Sequence, residues 1–144
     1  MRIEGTRRFQ APREVVWDAL VDPQLLADFL PGMRELNVAD ASHWTAVMRL
    51  PLSPVSLKLA FELRERRRPD RALLHARGKR LGAGADVETS FDLAEADGAT
   101  RMEWRADVEM TGALRRVGGG MLRPVAQQQA ERFLDRLDRQ IAGR

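Results

Sequence analysis

Few side chains in this chain can make or break bonds. It has no cysteine and no tyrosine, so thiolate nucleophiles, thiolate metal ligands and phenolic acid–base groups are excluded. Of its 2 histidines, His43 falls at a turn and His75 on the outward phase of a strand. Neither has a carboxylate at ligand spacing, so no metal site is expected. Ser42, Ser53, Ser56 and Ser90 lie at strand edges or outward phases, and none stands in the strand-to-helix elbow that activates a serine. Gly118-Gly119-Gly120 has the look of a phosphate cradle, but it lacks the strand before it and the Lys-Ser/Thr after it. Glu103, Asp107 and Glu109 alternate with Arg101 and Arg105, a pattern that makes solvated cross-strand pairs. No catalytic residue, metal or cofactor is expected.

What remains is the apolar interior. Large side chains alternate there with small ones at Ala46, Ala76, Gly78, Ala106, Ala126 and Ala130, which leave space unfilled. The expectation is a cavity lined by Phe29, Trp44, Met48, Phe61, Leu74, Ala76, Thr89, Trp104, Ala106, Met110, Met121 and Val125. Ligand pockets are mostly apolar with a few placed polar groups. Here those are Thr89, together with Arg7 and Arg80 if the strand phase persists to them. The plainer reading is that the aromatics and methionines only fill a core.

These residues need elements to position them. Ile3, Gly5 and Phe9 alternate with charged neighbours, as in a half-buried strand. Pro12 suits the first turn of a helix, and Glu14–Val21 is short and amphipathic. Asp22-Pro23 breaks it, with Asp22 as N-cap of a second short helix that Pro31-Gly32 stops. A weak strand over Met33–Val38 leads to the turn Asp40–Ser42. Strict alternation follows in the segments after Trp44, Val55, Leu74 and Val87. These are separated by Ser53-Pro54, the hairpin at Pro69-Asp70 and a turn at Gly82–Gly84. Asp97-Gly98 is a strong two-residue hairpin signal, and after it Met102, Trp104, Ala106, Val108 and Met110 alternate with charge.

The last segment, Thr111–Ile141, carries apolar residues at steps of three and four, as on one stripe of a helix roughly 40 Å long. Pro124 lies inside it and costs about 3 kcal/mol in a helix interior, while Gly118–Gly120 loosens its start. The expected result is a firm helix from about Met121 to Ile141 after a loose or kinked start. Gly118–Pro124 is then either a gate at the ligand's way in or a plain kink.

Strands with one apolar and one charged face form a sheet covered on one side only. The expected fold is α+β: a curved antiparallel sheet of about 6–7 strands, two short helices after the first strand, and a long C-terminal helix across the sheet with an apolar cavity between. Residues 1–144 read as a single domain, without internal repeat or linker.

Composition agrees. With 44% hydrophobic and 31% charged residues the chain is globular. No run approaches the ~20 apolar residues of a membrane span, and charges interrupt Met1–Gln10, so no signal peptide is expected there. A cytoplasmic location is the plain expectation. The net charge is +3 with arginines interleaved among acids, so no nucleic-acid partner is expected. The densest cluster, Arg64–Arg68 with Arg71, is either a solvated hairpin tip or an anionic docking patch for a protein partner.

Several motifs together resemble a known family. Ala11-Pro12-Arg13-Glu14-Val15-Val16-Trp17, then Leu20, Asp22-Pro23, Leu26 and Pro31-Gly32, resemble the opening of the START-like helix-grip (SRPBCC) superfamily. Within it they look like the carbon monoxide dehydrogenase CoxG family. Ser53-Pro54-Val55-Ser56 matches where that family has Gly-Pro-Val, and Gly112-Ala113-Leu114 through Val117-Gly118 matches the opening of its final helix. Phe133 and Leu137 fit its closing segment. The chain departs from the family pattern in a glycine-rich stretch shortened to Leu81-Gly82-Ala83-Gly84, in Pro124, and in the lack of an extension after Arg144.

The resemblance implies a non-catalytic accessory protein that binds a hydrophobic small molecule, quinone- or lipid-like. It implies a molybdenum hydroxylase such as carbon monoxide dehydrogenase as partner, served by membrane recruitment or ligand delivery. A peripheral contact with the inner face of the membrane would use Leu114, Val117, Met121 and Leu122 beside Arg115, Arg116 and Arg123. Two alternatives stand beside this: a small cyclase- or dehydratase-like enzyme using the same cavity, which would need an acid–base group inside it, and a protein–protein adaptor.

Overall fold

The computed structural model describes residues 1–49, 55–116 and 119–143. The expected break at Ser53-Pro54, the membrane-facing Val117, Gly118 of the glycine run and the side chain of Met121 lie outside the described residues. The elements are β1 (Arg2–Phe9), α1 (Arg13–Leu20), α2 (Pro23–Phe29), β2 (Met33–Asp40), β3 (His43–Arg49), β4 (Ser56–Arg67), β5 (Arg71–Arg80), β6 (Ala83–Ala96), β7 (Ala99–Gly112) and α3 (Gly119–Ala142). The strands form one antiparallel 7-stranded sheet in the order β1-β7-β6-β5-β4-β3-β2. This is the expected α+β helix-grip arrangement.

Local chemistry explains the punctuation. The carbonyl of Pro12 accepts from the amides of Val15 and Val16 to start α1. The Asp22 carboxylate accepts from the Gln24 amide at 2.9 Å to cap α2, as an N-cap aspartate should. Asp97 and Gly98 have φ of 51° and 80°, the left-handed pair of a type I′ hairpin. In the β5–β6 hairpin the turn residues are Leu81 (φ 45°) and Gly82 (φ 79°), not Gly82–Gly84. Arg80 pairs with Ala83, and Gly84 with Lys79, so the ladder closes directly behind the tip and Gly84 belongs to β6.

The C-terminal segment differs from a helix that begins at Thr111. Thr111 and Gly112 end β7, Ala113–Arg116 makes one 3-10 turn, and α3 starts at Gly119. The ladder pairs Thr111↔Gly84 and Gly112↔Ala83 hold this stretch extended. Gly112 has φ 62°, and a Cβ there would stand 1.6 Å from the carbonyl oxygen of Gly82. Period-two pairing with β6 therefore overrides the helical spacing of the apolar residues.

The sheet's apolar face carries the core. On α3, Phe133, Leu134, Leu137 and Ile141 are buried against it, and each side chain contributes about 1.5–3 kcal/mol by leaving water. Arg7 of β1 reaches Asp135 (2.8 Å) and Asp138 (3.3 Å) and ties the first strand to the last helix. Trp17 of α1 is buried, and its Nε1 donates to the Arg71 carbonyl at 3.0 Å.

The arginine-rich tip is engaged by its own surroundings. Arg68 forms a two-pronged bond to Asp18 (2.7 and 2.9 Å), and Arg13 binds Asp70. Arg71 meets Asp92 and Glu65, Arg64 meets Glu62, and Arg67 meets Glu65. Arg66 stacks 6.0 Å from the Trp17 ring centroid. This end of the molecule is closed by α1.

Candidate ligand cavity

Under α3 lies a cavity of about 240 Å3. Each strand contributes alternate residues to its wall. β7 supplies Trp104, Ala106, Val108 and Met110; β6 supplies Ala85, Val87, Thr89 and Phe91; β5 supplies Leu74 and Ala76; and β4 supplies Leu57, Leu59 and Phe61. In the register, Thr89 lies between Leu74 and Ala106, and Val87 between Ala76 and Val108. Small side chains at Ala76, Ala85 and Ala106 share the wall with Ala126 and Ala130 of the helix, and this is where the space arises.

Trp104 is positioned by an absence. It pairs with Gly5 of β1, and a Cβ on Gly5 would stand 2.9 Å from its indole Nε1. Glycine lets the ring lie across the strand.

Of the residues expected from sequence, Met48, Phe61, Leu74, Ala76, Thr89, Trp104, Ala106 and Met110 line this cavity. Trp44 does not. It is buried beside edge strand β2, paired with Val38, and stacked on Phe61 at 5.8 Å between centroids. Phe29 is also elsewhere: α2 turns Leu26 and Leu30, one turn apart, into the wall, and Phe29 packs on the core beside them. Val125 falls off the helix stripe that reaches the cavity, which runs Leu122, Ala126, Gln129, Ala130 and Phe133. Arg7 is held by its two aspartates, and Arg80 points to the Ser56 carbonyl at 3.1 Å; neither lines the cavity. Gln129 is the polar wall residue that sequence reasoning missed, although its position seven residues after Leu122 places it on that stripe.

No side chain among the described lining residues is ionisable; besides the indole N–H of Trp104, which lies against Gly5 of β1, the polar ones are Thr89 and Gln129. Their side chains have no hydrogen-bond partner among the described residues, so both are free to meet a guest.

The histidines stand outside the cavity. His75 keeps the outward phase but is buried, with Nε2 2.7 Å from Asp86, which also accepts from Arg77 at 3.1 Å. Desolvation opposes ionisation of Asp86, yet the bonds from His75 and Arg77 outweigh it and lower its pKa. His43 sits 2.9 Å from Asp40 and 3.6 Å from Glu62. The hydrogen bond to Asp40, followed by its charge, raises the His43 pKa above the ordinary 6.5. No group of three or more His, Cys, Asp or Glu among the described residues could hold a metal.

The expected membrane-facing stripe is altered as well. Leu114 and Leu122 are buried at 5% exposure, so they are spent on the core and cannot face a lipid surface. No helix of the described residues is long and apolar enough to cross a membrane.

A curved antiparallel sheet closed over an apolar cavity by a C-terminal helix defines the START-like helix-grip class. Within that class the chain belongs to the carbon monoxide dehydrogenase CoxG family, whose sequence profile matches residues 5–142. A conserved protein from Geobacillus kaustophilus superposes with a TM-score of 0.87 at 21% identity, covering 99% of this chain and 96% of that one. A START superfamily protein from Mycobacterium smegmatis gives 0.75 at 13% identity, covering 99% and 97%. A protein from Chromobacterium violaceum gives 0.73 at 19% identity, covering 97% and 96%. No curated protein matches the chain by sequence.

Proposed function

We propose that this protein is a non-catalytic carrier that holds a neutral, hydrophobic small molecule and serves a redox enzyme, a molybdenum hydroxylase of the carbon monoxide dehydrogenase type, as an accessory. The observation that carries the reading is the cavity wall: its described side chains are apolar apart from Thr89, Gln129 and the indole N–H of Trp104, and none of them is charged. Burying a charged head group in such a wall would leave it unpaired, at a cost of several kcal/mol. A fatty-acid carboxylate therefore suits the cavity poorly, whereas the carbonyls of a quinone can accept from the Thr89 hydroxyl and the Gln129 amide. A volume of about 240 Å3 is just below the usual 300–1,000 Å3 of small-molecule sites, which suits a ring with its tail directed outward. The link to the redox enzyme is drawn from family membership. Delivery of the molecule to that enzyme, rather than chemistry upon it, is the proposed role.

The cyclase- or dehydratase-like alternative needs a group that moves protons at working pH, and no described side chain of the wall supplies one. The adaptor alternative loses its patch, because the arginine tip is already occupied by internal acids. The test is titration of the purified chain with a short-chain quinone and, in parallel, with a fatty acid of equal length. Saturable binding of the quinone alone supports the proposal; preference for the acid contradicts it.

A further inference from the structure

The tryptophans of this chain are all buried, and their indole N–H groups meet different fates. Trp17 donates to the Arg71 carbonyl at 3.0 Å. Trp44 lies beside the edge strand in a surface groove lined by Asn37, Ala39 and His43, where water can meet its N–H. Trp104 is 6% exposed, and its N–H has no acceptor among the described residues. A buried indole ordinarily finds one, and a buried donor left without a partner is costly. Yet no buried side-chain nitrogen or oxygen among the described residues is sealed from open space without a partner. The N–H of Trp104 therefore opens onto space. Glu103 and Arg105 on either side take the outward phase, so the space against the indole is the cavity it lines.

Strand register places this donor relative to the other polar groups of the wall. Trp104 pairs with Gly5 and Phe91, while Ala106, its neighbour on the same face, pairs with Ile3 and Thr89. Thr89 thus stands one diagonal step from Trp104, about 7–8 Å away between Cα atoms. The indole leans over Gly5 of β1. Gln127 of α3 donates to the Glu4 carbonyl at 3.4 Å, which sets that turn of the helix over the Ile3–Gly5 level. Gln129 follows about 3 Å further along the axis. Thr89 from the sheet, Trp104 over the edge strand and Gln129 from the helix thus meet at one level of the grip. Past that level the wall of Val87, Val108, Met33, Met48 and Met110 offers no hydrogen-bond donor.

We propose that Trp104 is a specificity-determining residue of the cavity: its Nε1–H donates to an oxygen of a guest that enters head first. The oxygen-bearing ring then sits at the level of Thr89, Gln129 and Trp104, and the apolar tail lies along the methionines. Resting on the carrier reading, the assignment narrows the guest. Threonine and glutamine side chains can donate or accept, whereas an indole N–H only donates. The site therefore demands an acceptor at this corner and discriminates against a hydrocarbon of the same shape.

Two guests of nearly equal shape separate the donor from the packing: a hexyl-substituted naphthoquinone and hexylnaphthalene, each titrated calorimetrically into the full chain. Trp104→Phe keeps an aromatic ring and removes the N–H. The expected result is a wild-type preference for the quinone over the hydrocarbon that Trp104→Phe lowers about fivefold, equivalent to about 1 kcal/mol. Packing lost with the smaller ring weakens both guests and cancels in that ratio, and continued binding of the hydrocarbon shows that the cavity persists. A second measurement needs no variant: the Trp104 indole N–H proton of the wild-type chain should exchange with solvent deuterium at least fivefold more slowly with the quinone bound than with the hydrocarbon bound. A preference unmoved by Trp104→Phe, equal protection of the N–H by the two guests, or a wild-type chain that binds both guests equally overturns the proposal and leaves the carrier reading standing. A wild-type chain that binds neither guest overturns the carrier reading and the proposal with it.

Discussion

Gly5 and Asp86 show how single residues set the geometry of this molecule. Gly5→Ala places a methyl 2.9 Å from Trp104 Nε1, closer than real Cβ contacts, so the indole must move into the cavity or the strands must part. Overpacking of this kind costs about 1–3 kcal/mol, or roughly 3–10 °C in melting temperature. A thermal melt checks the loss, and altered indole fluorescence reports the shift. Asp86 has a lowered folded-state pKa. Its contribution is present above the unfolded value, ordinarily 3.8, and is lost as pH falls through the lower folded value. Asp86→Asn should lower stability at pH 7 and flatten the acid limb of a stability-versus-pH curve below about pH 4. His43 behaves in the opposite sense: its raised pKa adds stability fully below 6.5 that disappears as pH rises through the folded value, and a proton NMR titration should place its midpoint above 6.5.

At the scale of elements, the strands and short helices were legible because each signal was local. Alternation in Trp104–Met110, the Asp22-Pro23 cap and the Asp97-Gly98 turn each act within a few residues and agree with the final fold. The firm helix expected from about Met121 agrees with α3, which begins at Gly119; the extension of β7 to Gly112 was not legible, because the competing force is pairing with another strand. The β6–β7 ladder runs unbroken from Ala96↔Ala99 to Ala83↔Gly112 and draws Thr111 and Gly112 into β7. The cavity wall was legible in phase and illegible at the rims. Ala76, Thr89 and Ala106 follow from strand parity. Trp44 has that parity too, but it lies next to the edge strand, and Phe29 and Val125 miss the wall by one helical step. Gln129 escaped notice because a polar residue on an apolar stripe reads as solvent-facing unless its spacing is followed. Pro124 lies exposed inside α3, where it removes one backbone bond. Pro124→Ala should therefore stabilise the protein by up to about 3 kcal/mol, seen as a higher melting temperature by far-UV circular dichroism. An unchanged melt would mean that the helix has already adapted to the missing N–H.

At the scale of the whole molecule, the two ends of the grip differ in kind. One is closed by α1, with arginines matched to acids and Trp17 sealed beneath. The other carries the exposed Leu81 and a stretch of cavity wall in which Met33, Met48, Val87, Val108 and Met110 are half-buried and Leu57 and Ala85 are buried. Such an arrangement suits a protein that takes up an apolar molecule at one end and shields it along a helix. Of the 3 tryptophans, only Trp104 lines the cavity, so its fluorescence reads the guest directly. The decisive measurement is quenching of a Trp17→Phe, Trp44→Phe variant, with Trp104 alone remaining, by a short-chain quinone, alongside the same protein with Ala106→Phe to fill the space. The carrier account predicts saturable one-to-one quenching that Ala106→Phe abolishes while the fold persists. Linear, non-saturable quenching that is the same in both proteins would contradict it.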